Sequence, residues 1–217
     1  MTAIPFDTLA IPAVILVSIT AAGILTTQSA TWLVLLLAMQ YVGVFLLVAE
    51  QWPTPMALSI LVAGWISAVV IGWVAFSPHQ TAGVNDSEEG QIQAQSGVSL
   101  IYGKMISALL FRLLAAILVV ITMISASPAI TRYAPDTAMS TALGGMILIG
   151  LGLLQLGLSD QPIRVVVGLL TVLSGFEILY SVVEISALIV GLLNLVTMSL
   201  AVLGAYFILL PGMDEPA

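Results

Sequence analysis

The chain has 217 residues, 60% of them hydrophobic and only 7% charged, with a net charge of −7, one histidine and no cysteine. A soluble domain carries about 25% charged residues, so a mean hydropathy of +1.19 excludes a soluble fold: no soluble packing of this length hides so much apolar surface. The missing thiols exclude a disulfide framework, a thiolate metal site and an iron–sulfur cluster, and the acidic balance speaks against binding nucleic acid or anionic lipid.

A helix needs about 20 mainly apolar residues to cross a bilayer, and that rule predicts seven spans. The first covers 9–27. The opening "MTAIPFDTLAIPAV" lacks a basic n-region and its apolar run continues too long, so no cleavable signal peptide is expected. "TQSAT" turns the chain into the second span, 31–49, and "EQWPTP", with two prolines, separates that from the third, 56–76. Glu50, at this break, reads as an interfacial residue.

Residues 77–97, "SPHQTAGVNDSEEGQIQAQSG", are polar and acidic, with the composition of an exposed loop. The segment reads as a linker, or as a docking segment for a partner subunit. The fourth span is expected over 107–126, and "SASPAITRYAPDT" links it to the fifth, 138–158. Five glycines stud that fifth span (Gly144, Gly145, Gly150, Gly152 and Gly157), so it is expected to pack against protein rather than lipid. "LSDQPIR" connects it to the sixth, 163–183, and the seventh covers 187–210. The boundary between these last two has neither Gly nor Pro, so one bent helix is the competing expectation.

Such continuous apolar runs do not alternate as barrel strands do. The expected class is an all-α polytopic membrane protein of about seven transmembrane helices. It divides into a three-helix group (1–76), a polar acidic loop (77–106) and a four-helix group (107–217). With seven spans, Lys104, Arg112 and Arg164 fall on the side of the long loop and the C-terminus, and Arg132 on the other. The positive-inside rule then puts the C-terminus in the cytoplasm and the N-terminus outside.

Polar residues at membrane depth carry the functional signal. Glu177 lies past the midpoint of the sixth span, where an ionised carboxylate costs several kcal/mol or more and must be protonated or paired. Glu184 follows seven residues later, on the same face if the helix continues. Tyr180 lies between them, so carboxyl, hydroxyl and carboxyl would form a file suited to moving protons. The competing readings are a buried structural hydrogen bond for Glu177 and a solvated interfacial position for Glu184. Arg112, about a turn and a half into the fourth span, either snorkels to the headgroups or forms an ion pair with a carboxylate on another helix.

Absences prune the remaining options. The one histidine, His79, is in the long loop, so a bis-histidine haem anchor is excluded within this chain. No Ser/His or paired-Asp protease can be assembled from the spans, and there is no phosphate loop or metal cluster. No catalytic site, metal or cofactor is expected in the chain itself.

The segment "DQPIRVVVGLLTVLSGFEILYSVVEIS" resembles the small K-type subunit of complex I, the C-type subunit of multi-subunit Na⁺/H⁺ antiporters and the E-type membrane subunit of energy-converting hydrogenases. Gln161, Arg164, Gly168, Leu169 and Glu177 carry the likeness over 159–210. Val183, Glu184 and Ile185 match a "VEI"-like segment of the hydrogenase subunit, and Ala49, Glu50 and Gln51 its "AEQ". Leu170 stands where the K-type subunit has a glutamate, with Glu177 seven residues on as its substitute. The hydrogenase-type lysine of the third span and acidic residue of the last are missing here; the last span offers Asn194, Thr197 and Ser199.

The resemblance implies a non-catalytic subunit of an ion-translocating redox or antiporter complex in a bacterial-type cytoplasmic, or other energy-transducing, membrane. Its partners would be other membrane subunits and the bilayer. Glu177, Glu184, Tyr180 and Arg164 would be the ion-path candidates. The competing reading is a purely structural scaffold subunit, and a stand-alone secondary transporter ranks last for want of an internal repeat.

Overall fold

A computed structural model describes residues 7–76, 98–133, 138–183 and 186–209. Seven helices account for nearly all of them: α1 Asp7–Thr26, α2 Ala30–Val48, α3 Thr54–Ala75, α4 Val98–Tyr133, α5 Met139–Leu158, α6 Pro162–Tyr180 and α7 Ala187–Leu209. All seven are long and apolar enough to cross a membrane, and no strand occurs among the described residues. The protein is an all-α integral membrane protein. Residues 77–97, with His79, fall outside the described set, as does Glu184.

One sequence expectation changes and one weak boundary holds. α4 starts inside the stretch assigned to the polar loop and runs through "SASPAITRY" to Tyr133, with Pro128 in its interior. Proline cannot donate to the carbonyl four residues back, which here belongs to Ile124. The Ser127 hydroxyl donates to that carbonyl instead, at 2.9 Å, so the helix continues past the proline. At the other doubtful boundary the chain breaks. α6 ends at Tyr180 and residues 181–183 form a turn. Its nineteen helical residues rise about 28 Å, enough to cross the hydrocarbon core before the chain turns. The helix that would have carried Glu177 and Glu184 on one face ends before Glu184, which itself lies outside the described residues.

The helices stack as two layers. α1, α2 and α3 lie side by side, α5, α6 and α7 do the same, and α1 faces α5, α2 faces α6 and α3 faces α7. α4 packs outside this block against α5 and α1. α3 and α4 thus occupy opposite edges, about 25–30 Å apart at 8–10 Å per helix spacing.

The tightest contact is α5 on α6, and glycine makes it possible. A Cβ on Gly175 would lie 2.7 Å from the Gly145 carbonyl oxygen and 2.8 Å from the Ile149 nitrogen; one on Gly152 would lie 2.9 Å from the Val172 nitrogen. Backbone meets backbone along this seam, the close approach that small residues permit between membrane helices. α5 also sets Gly144 against Leu47 of α2, and Gly150 against Val119 and Met123 of α4. It is the protein-packed helix its glycines predict.

Candidate functional site

Between α2, α3, α6 and α7 the interior turns polar. α6 supplies Thr171, Ser174 and Glu177, three residues apart, so they wind down its buried side. α2 supplies Gln40 and Tyr41, both fully buried, α3 supplies Ser67 and α7 supplies Thr197. Gln40 Nε2 donates to Thr171 Oγ1 at 3.3 Å, and Thr171 passes its own hydrogen to the Val167 carbonyl at 2.9 Å. The Tyr41 hydroxyl lies beside Ser174, within the field of the Glu177 carboxylate.

Glu177 is 1% exposed, and its position is closer to the helix end than the sequence implied, because α6 stops at Tyr180. Its Oε1 lies 3.0 Å from the Thr197 hydroxyl oxygen, which is also 3.1 Å from the Leu193 carbonyl. A hydroxyl carries one hydrogen and two lone pairs, so Thr197 can serve either protonation state. Turned one way it donates to the carboxylate; turned towards Leu193, it accepts the O–H of a protonated Glu177. The other carboxyl oxygen, Oε2, has no hydrogen-bond partner among the described residues, and neither do Gln40 Oε1 or the Tyr41 hydroxyl. Buried polar atoms in proteins are nearly always satisfied, so this interior stands apart from the apolar packing around it.

Of the sequence candidates, only Glu177 is placed in this cluster. Arg164, thirteen positions earlier, is about 20 Å away along the helix. It lies at the opposite end of the bundle, where Nε donates to Gln161 Oε1 at 2.9 Å and Nη2 donates to the Thr27 carbonyl. Gln155 of α5 donates to the Arg164 carbonyl at 2.9 Å. Arg112 faces the same end, lining a pocket with Arg164. The Tyr180 ring stacks on Phe176 with centroids 5.8 Å apart. Glu50 sits at the Glu177 end, half-buried, and accepts from the Thr141 hydroxyl of α5 at 3.3 Å. On α6 the buried residues between Arg164 and Thr171 are Val166, Val167, Gly168 and Leu170, so an apolar layer separates the two polar ends.

Sequence reasoning missed Gln40 and Tyr41. The available signal was an amide side chain eleven residues into a nineteen-residue apolar span. Thr197 was noted only as weak polar content, and it proves to be the Glu177 partner. No group of three or more His, Cys, Asp or Glu that could hold a metal ion occurs among the described residues. No family profile, no curated protein and no solved structure matches the chain.

Proposed function

We propose that the protein is a non-catalytic integral membrane subunit of an ion-translocating redox or antiporter assembly, with Glu177 as its protonatable group. One observation carries this reading: a fully buried carboxyl group whose hydroxyl partner, Thr197, suits both protonation states and whose second oxygen is left open. An intramembrane carboxyl group is a functional candidate by default because its burial is costly. The resemblance of 159–210 to complex I-like and hydrogenase-like subunits supplies the kind of assembly. In this reading, the side bearing Lys104, Arg112 and Arg164 faces the cytoplasm.

The apolar layer at Val167 and Leu170 favours a second reading, a scaffold subunit that conducts nothing. Glu177→Gln and Glu177→Leu separate the two. Gln keeps the shape and can still bond Thr197, but carries no exchangeable acid. Under the proposal, native membranes carrying Glu177→Gln retain the assembly on a native gel and lose most coupled ion translocation. Translocation unchanged in Glu177→Gln, together with dissociation of the assembly in Glu177→Leu, would make the residue structural. Mass spectrometry of the native-gel band identifies the partners; migration of the protein alone would end the subunit reading.

A further inference from the structure

The polar end opposite Glu177 encloses a pocket of about 410 Å³, with Gln28, Arg112, Ser159, Asp160, Gln161 and Arg164 in its walls. Three separate segments build it: the α1–α2 connector, the first turns of the α4 span and the α5–α6 connector. We infer that this pocket binds a phosphate group, presented by a phospholipid headgroup or as free phosphate.

Charge and rigidity carry the inference. Arg164 is 6% exposed, and both of its described hydrogen-bond partners, the Gln161 side-chain oxygen and the Thr27 carbonyl, are uncharged. They hold the guanidinium in place without neutralising it, and a buried charge left uncompensated is costly. Arg112 approaches from α4, so two like charges face one hollow. Asp160, exposed at the rim, offsets one of them, which leaves a net single positive charge. The helix ends do not alter this balance: α1 and α5 finish here while α2 and α6 begin, so their dipoles oppose one another. A guanidinium fork matches the oxygens of a phosphate in geometry as well as charge.

Depth gives the site its access to lipid. α5 ends at Leu158 and α6 starts at Pro162, helices of a length that ends near the headgroups of a bilayer, and Arg112 lines the pocket at that same end. The acidic net charge of the chain does not oppose this, because its screening length is about 8–10 Å at physiological salt and these two arginines lie inside the pocket. The inference is independent of the role proposed for Glu177.

Native mass spectrometry of the full chain in detergent, with phosphatidylglycerol, phosphatidylcholine or a diacylglycerol of the same acyl chains, tests it. A thermal-shift titration with inorganic phosphate runs beside it. The expected result is retention of the phosphate-bearing lipids over diacylglycerol, falling about tenfold in Arg112→Gln, the loss expected for one charged hydrogen bond. Arg112→Lys should recover part of it. Stabilisation by inorganic phosphate with no lipid preference would support the phosphate site and name the free ion as its source. Equal retention of diacylglycerol without any phosphate shift would overturn the inference, as would an Arg112→Gln variant that keeps both the lipid preference and the phosphate shift of the native chain. Should Arg112→Gln fail to fold, Asp160→Asn provides the opposite readout: removing the opposing charge should tighten binding, and unchanged or weaker binding would overturn the inference.

Discussion

α4 and α6 are both apolar spans of similar reach, yet one is almost entirely at the surface and more than half of the other is inside. In the membrane-spanning part of α4, 6% of residues are buried; in α6, 56% are. α4 turns Leu110, Leu114, Leu118 and Ile121 outwards, each more than half exposed. α6 buries Thr171, Ser174 and Glu177 together with Gly168 and Gly175. Between these two helices, burial therefore follows small and polar residues rather than hydrophobicity. Lipid tails are as apolar as leucine, so a leucine gains little by moving from lipid into protein. A glycine gains close backbone contact, and a polar group gains a partner.

The largest test of this contrast is Gly175→Leu. The added atoms would collide with the backbone of Gly145 and Ile149, which cannot swing aside as a side chain does. Unfolding in mixed micelles should show a loss of about 1–3 kcal/mol or more. Gly157→Leu, on α5 with nothing within 4 Å, should stay within about 0.5 kcal/mol. Equal losses at the two sites would mean that helix propensity, not the seam, sets the cost.

Ser127→Ala sharpens the comparison from the α4 side. It should cost about 1 kcal/mol, because it leaves the Ile124 carbonyl with no donor beside Pro128. Circular dichroism and unfolding of the variant would read this; no change would mean that water or a neighbouring group serves that carbonyl. The smallest effect is expected at Leu118→Ala, within about 0.5 kcal/mol, since Leu118 is 65% exposed. A loss above 1 kcal/mol there, seen only in native membranes, would show that another protein covers α4.

The spans were legible because crossing a bilayer requires length and apolarity, and both are properties of one segment at a time. All seven are present, although α4 runs beyond 107–126 at both ends and α6 stops at Tyr180. Boundaries were less legible where one residue changed the outcome. Pro128 reads as a helix end, and only the Ser127 hydroxyl on the Ile124 carbonyl explains why it is not one. Glu177 stood out because a carboxylate is costly wherever its helix lies in the membrane. Its surroundings did not, since Gln40 and Thr171 are 131 positions apart.

What the amino-acid order determined alone is thus a membrane protein of seven helices with a carboxyl group, Glu177, at membrane depth and a glycine-lined fifth span. The tertiary structure decided that α4 lies outside, that Tyr41 and Thr197 flank Glu177, and that Arg112 shares a pocket with Arg164. The reason is physical: transfer into an apolar medium is a property each segment carries by itself, and lipid and protein interior satisfy it equally. Which helix faces which is set by contacts between segments far apart in the chain, and those are made only when the bundle closes.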